Sequence, residues 1–150
     1  MIPIKDTNPT VRRPVVTLLL IVACTVVYFF VEPTGQVVLF RHSTSASVQQ
    51  ANADFTYSHA AIPCELIRDR PITPTDLQNG CQRTEIGRPV FPHKNVWLAV
   101  LYSMFLHGSL LHIGGNMLFL WIFGNNVEDR FGHVPYLIFY LVAGVVATFM

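Results

Sequence analysis

Long charge-free hydrophobic runs alternate with polar stretches along this chain. Pro14 to Val31 lies between Arg13 and Glu32 without a charge, Asn95 to Val127 lies between Lys94 and Glu128, and nothing after Arg130 is Lys, Arg, Asp or Glu. An apolar helix crosses a hydrocarbon core of about 30 Å with roughly 20 residues, at about 1.5 Å of rise each. The first run is slightly short but within range. The second exceeds what one span needs, and the third, Val134 to Met150, is just long enough. The pattern predicts three membrane helices, at 14–31, 106–125 and 134–150. They are joined by an outer link at 32–105 and a short inner link at 126–133, after a lead-in at 1–13. The expected fold class is an all-α polytopic membrane protein.

Composition agrees. Of 150 residues, 51% are hydrophobic and 13% charged, and mean hydropathy is +0.42. That charged share is about half the usual one, and a small soluble core cannot absorb so many apolar side chains. A disordered chain, a basic nucleic-acid module and a disulfide-dense secreted scaffold are excluded. The net charge of +1 names no partner, and no basic stripe suggests nucleic acid.

A cleaved signal peptide is the alternative for the first run, with Lys5, Arg12 and Arg13 as its basic region. The apolar stretch is too long for that. Val31 is followed by Glu32, Pro33, Thr34 and Gly35, not by a small-x-small cleavage site. A retained span is therefore expected. The lead-in carries three basic residues and one acid, while the much longer outer link carries six of each sign. The higher basic density at the start favours a cytoplasmic N-terminus.

The outer link, Glu32 to Lys94, shows no useful helical or alternating period. Pro63, Pro71, Pro74, Pro89 and Pro92 interrupt it, and Gln36 to Ser58 reads as extended or loop structure. Cys24, inside the first span, reads as a small packing residue. Cys64 and Cys81 share the outer, oxidising side, so they either pair or remain two thiols; spacing alone does not decide. An unstrained bridge would contribute about 3 kcal/mol.

His107, His112 and Asn116 interrupt the second hydrophobic run. Imidazole and carboxamide groups are costly in hydrocarbon without partners, so they usually face a bundle interior or a water-filled cavity. His112 and Asn116 are four apart and share one helix face, with Gly115 and Phe119 beside them. Gly108, Gly114 and Gly115 would admit a second helix closely. Helix–helix glue is the plain alternative for all three polar residues. His107 lies off that face and is placed at the outer mouth. The histidine spacing does not suit a helical zinc site, His93 at the membrane edge adds nothing that spacing can use, and no phosphate-binding glycine loop is present. No metal or cofactor is expected.

His107-x4-His112-x3-Asn116, continued by Leu118-Phe-Leu-Trp-Ile-Phe-Gly124, Val127-Glu128 and Gly132, resembles the second membrane helix of rhomboid intramembrane serine proteases. Ile2-Pro3-Ile4, Asp6, Asn8-Pro9 and Arg12-Arg13-Pro14 are similar to the lead-in of bacterial members, and Ala60-Ala-Ile-Pro63-Cys-Glu65-Leu resembles their outer loop. The resemblance implies a rhomboid-like helical bundle in a bacterial plasma membrane, with an outer loop partly embedded in the membrane near its end. It also implies cleavage of transmembrane protein substrates by a Ser nucleophile and a His base on later helices. Carried over, His112 and Asn116 are oxyanion-stabilising donors, His107 belongs to the polar network at the active-site mouth, and Glu128 anchors the inner end of the helix.

The departures define what is expected of this chain. There is no Gly-x-Ser-Gly, Gly108-Ser109 is not a match, and no histidine follows His133. Trp97 is followed by Leu98 where the family often has Trp-Arg. The chain is thus expected to be the N-terminal part of a longer protein and to be inactive alone, for want of an activated nucleophile. A non-catalytic rhomboid-like protein that binds transmembrane segments is the other function class. The sequence implies no oligomeric state.

Overall fold

The computed structural model describes residues 11–37, 46–79 and 87–149. Among the described residues the secondary structure is helical, with no strand. Helix α1 is Val15–Val26 and passes into a π-helical segment at Val27–Val31, followed by the short α2, Pro33–Gln36. Then come α3, Ala46–His59, α4, Pro63–Arg68, and α5, Pro74–Asn79. Helix α6 is Val96–Ser103 and α7 is Leu110–Phe119. A second π-helical segment, Leu120–Gly124, leads into α8, Asn125–Phe131, and α9 is His133–Thr148.

The three expected spans do not appear as three uninterrupted helices. Among the described residues, no helix is long and apolar enough to cross a membrane. The first run is divided by its π-helical end. The second breaks at Met104 to Ser109 and again at Leu120. The 16 residues of α9 rise about 24 Å, short of the hydrocarbon thickness.

The outer link also differs from the sequence reading. Gln36 to Ser58, expected to be extended or loop, contains the 14-residue α3. Only Val48 of α3 is buried, so no apolar period announces it. Its Ala and Gln content favours helix, and Gln50 Nε2 donates to Asp54 Oδ1 one turn on at 2.9 Å.

Proline and caps set the other short helices. Pro63 opens α4, where a missing N–H costs nothing, and Asp69 ends it in the left-handed region at φ 51°. At α5, Thr73 Oγ1 accepts from Asp76 N at 3.3 Å, while Asp76 Oδ2 accepts from Thr73 N and Oγ1, each at 2.9 Å. This is a reciprocal capping box. Arg68 and Arg70 reach the same carboxylate at 2.6 and 3.0 Å. Hydrogen bonds from Thr73, then the nearby arginines, hold the Asp76 carboxyl down to about 2. A depressed carboxyl contributes stability above its ordinary value and loses it as pH falls through the folded value. Amide protection at Thr73 and Asp76 is therefore expected to persist to about pH 3 and fail toward pH 2. Hydrogen exchange measures it; loss of protection already at pH 4 to 5 would contradict the cap.

Lys94 ties α3 and α4 to the segment that leads into α6. Its buried ammonium contacts Glu65 Oε2 at 2.5 Å and donates to the carbonyls of Tyr57 and Ala60 at 2.8 and 2.7 Å. Three acceptors match the three donors of the group. Glu65 also accepts from Ile72 N at 3.0 Å, so neither buried charge is left bare. Cys64 is disulfide-bonded, while Cys81, its candidate partner, lies outside the described residues. Cys24 is free and fully buried, as a packing residue should be.

Helix α1 lies against α7, the Leu120–Gly124 segment, α8 and α9. Thr17, Leu20, Cys24 and Tyr28 form its buried stripe at helical spacing. Leu19, Val22 and Phe30 point outward, as do Leu111, Phe119, Val134 and Ile138 from the later helices. Buried inside instead are Thr17, Glu32, His107 and Glu128. Glu128 supplies the cap that Pro14 cannot. Its carboxylate accepts from Val16 N at 2.8 Å, Thr17 N at 2.8 Å and Thr17 Oγ1 at 2.7 Å, satisfying orphan donors at the start of α1. Next to it, Asp129 Oδ1 accepts from the N–H groups of Val11 and Arg12. Gly132 turns the chain into α9 at φ 82°, a value suited to glycine.

Candidate active site

The site is built around the turn from α6 into α7. Asn95 caps α6, its side chain accepting from Trp97 N and Leu98 N. The helix ends at Ser103, whose hydroxyl donates to Ala99 O and accepts from Ala61 N at 2.6 Å. This pins the turn to the connection between α3 and α4. Ser109 then caps α7 in extended conformation, and its Oγ accepts from His112 N at 3.2 Å. The hydroxyl of Ser109 is thus engaged in starting a helix.

His107 belongs to this turn and not to the helix, which begins at Leu110 instead of the expected 106. It is also deeper than the mouth position implied: the residue is 4% exposed. Its N–H donates to Glu32 Oε1 at 2.9 Å, and Nδ1 lies 3.1 Å from Phe105 O. The imidazoles of His107 and His112 meet edge to face, with centroids 5.4 Å apart.

His112 and Asn116 are both exposed, one turn apart on α7. His112 borders an open groove of about 710 Å³, lined also by Ser103, Met104, Tyr140, Ala143, Gly144 and Ala147. Gly144 makes room for Met104, because a Cβ there would sit 2.2 Å from the Met104 methyl. The close helix approach expected at Gly108, Gly114 and Gly115 is absent among the described residues: a Cβ at any of the three would meet nothing within 4 Å. The flank bearing Asn116 is uncovered by described elements.

A smaller cavity of about 210 Å³ lies behind the turn, lined by Glu32, Asn52, Phe55, Ser103 and His107 among others. Sequence reading passed over Glu32, which appeared only as the charge ending the first run. Its isolation at that edge was the one available signal. Burial raises its carboxyl above the ordinary carboxylate range, and the His107 N–H pulls it partly back. At Glu128 the balance is reversed. Burial alone would raise the Glu128 carboxyl, but donors from Thr17, Val16 and His133 hold it below its ordinary value. His133 Nδ1 lies 2.6 Å from Glu128 Oε1. The resemblance had Glu128 anchoring the end of its own helix; instead it caps the start of α1. Among the described residues, no group of three or more His, Cys, Asp or Glu side chains could hold a metal ion.

Comparison with known proteins bears on this same region. Residues 94–150 match the family model described as the Rhomboid domain. The bovine (Bos taurus) presenilin-associated rhomboid-like protein, mitochondrial, is 39% identical over 51 residues, which is 34% of this chain and 14% of that protein. The human (Homo sapiens) and mouse (Mus musculus) proteins of the same name are each 37% identical over the same shares. The match therefore spans about one seventh of the length of these relatives. No solved structure matches the chain significantly. Residues 94–150 are thus similar to the Rhomboid domain, and the similarity covers the segment that carries His107, His112 and Asn116.

Proposed function

We propose that this chain is the oxyanion-stabilising part of a rhomboid-type intramembrane serine endopeptidase that cleaves transmembrane protein substrates. The observation that carries the reading is the uncovered flank of α7, where His112 and Asn116 stand one turn apart beside glycines with open space around them. Peptide hydrolysis builds negative charge on the carbonyl oxygen. A ring N–H from His112 and an amide N–H from Asn116 are suited to receive it in a dry site. His107 joins them as the buried member of the polar network. Neither nucleophile nor base is assigned within this chain: Gly-x-Ser-Gly does not occur, and Ser109 is occupied as a cap.

A membrane placement is supported by the many apolar side chains that point outward while Thr17, Glu32, His107 and Glu128 are buried, an arrangement lipid favours. We read the paths at 14–31, 106–125 and 134–150 as spans of a multi-pass protein with its N-terminus in the cytoplasm, the second including the turn that holds His107. The resemblance of the lead-in implies a bacterial plasma membrane, whereas the similar mammalian proteins are named as mitochondrial.

The test is a serine-directed fluorophosphonate probe with a transmembrane substrate, applied to the 150-residue chain and to a longer form carrying any downstream helices. The short chain is expected to show neither labelling nor cleavage, and the longer form both. A longer form that binds transmembrane segments without cutting them would establish the non-catalytic alternative. Labelling of the short chain would overturn the assignment of its residues.

A further inference from the structure

We propose that Glu32 is a positioning residue for the candidate site, its carboxylate holding the N–H of His107 and thereby fixing the paired imidazoles of His107 and His112. The proposal rests on the catalytic reading for its purpose but not for its geometry.

Glu32 sits between the π-helical end of α1 and Pro33, with extended backbone, where a carboxylate would ordinarily cap the helix that follows. It makes no such cap. Instead Oε1 reaches 75 positions along the chain to the backbone of His107. That N–H lies past the end of α6 and before the cap of α7, so no helix supplies it with an acceptor. Without Glu32 it would be a buried donor with nothing to bind. His107 is packed and held from both sides, by Glu32 at its N–H and by Phe105 O at its ring. His112 is exposed, and its ring rests edge-on against that fixed neighbour. The line of support runs from α1 through Glu32 and His107 to His112.

The same carboxylate lines the 210 Å³ cavity, into which no described cationic side chain projects. The buried Oδ1 of Asn52, also at this cavity, has no protein partner. A polar cavity of this size can hold water and gives protons a route to Glu32. The titratable groups near Glu32 are Tyr28 and Cys24, which feel its charge, and His107, whose backbone N–H it accepts. The residues facing it from α2 and α3, Thr34, Asn52, Phe55 and Thr56, are uncharged. Ionised Glu32 is the stronger acceptor, so the latch tightens as pH rises through its raised value and loosens in acid.

The experiment is amide and imidazole NMR with hydrogen exchange on the 150-residue chain in detergent micelles. In the unaltered chain the His107 amide is expected to be protected, and its shift to follow a carboxyl titrating above the ordinary range. Glu32→Gln keeps an acceptor, so protection should remain and the titration vanish. Glu32→Ala should speed His107 exchange by about tenfold or more and remove the His107–His112 ring contact. The Thr17 amide, at the far end of α1, reports whether the fold survives. Unchanged His107 exchange in a folded Glu32→Ala chain overturns the proposal, as does a titration that persists in Glu32→Gln. If Glu32→Ala does not fold, the Glu32→Gln titration decides. Failure of any longer form to cleave would leave these amide results standing.

Discussion

Glu128→Ala is expected to be the most destabilising single substitution in this chain, at about 3–5 kcal/mol. The carboxylate is fully buried and receives three donors from the first turn of α1, at Val16 N, Thr17 N and Thr17 Oγ1. Alanine leaves all three without an acceptor, and each orphaned buried donor costs about 1–3 kcal/mol. The His133 contact adds little, because that side chain is 45% exposed and its interaction is screened. Glu128→Gln retains one carbonyl oxygen and should lose roughly 1–3 kcal/mol. The Glu128 carboxyl is depressed in the folded chain, so its contribution is complete above the ordinary glutamate range and fades as pH falls through the folded value. Denaturant titration in micelles measures the difference. A Glu128→Ala chain within about 0.5 kcal/mol of the parent would show that α1 is not capped from α8.

Asn116→Ala, in a longer, cleavage-competent form, is expected to slow turnover by two to three decades, about 3–4 kcal/mol, with little change in substrate binding. His112→Ala should act similarly, through its ring donor. Stability should hardly move in either case, since both residues are exposed on α7. That separates the two meanings a polar residue in an apolar run can have. An oxyanion donor costs rate when removed, whereas helix glue costs stability. Unchanged kcat in both variants, with earlier unfolding, would reassign the pair to packing.

Much of the frame was legible from where charges stop. The apolar runs at 14–31 and 134–150 are helical over Val15–Val31 and His133–Thr148, although no described helix is long and apolar enough to cross a membrane. The middle run was harder. It carries no charge to mark its break, and only Gly108 and the capping hydroxyl of Ser109 signal that His107 falls in a turn. Helix α3 escaped notice because a polar helix with one buried residue has no stripe to read. His112 and Asn116 were visible as polar interruptions at helical spacing. Glu32 was not, since its meaning lies in a contact 75 positions away that no local pattern encodes.

The cap on α1 has a consequence for biosynthesis. Glu128 follows Thr17 by 111 positions, so the first helix leaves the ribosome long before its acceptor exists. At about 5–20 residues per second the interval is roughly 6–22 seconds. Throughout it, the leading end of the nascent helix must rely on water or on the insertion machinery. Topogenesis of this segment is therefore completed from behind, and a truncation upstream of residue 128 would deliver a first helix that never locks.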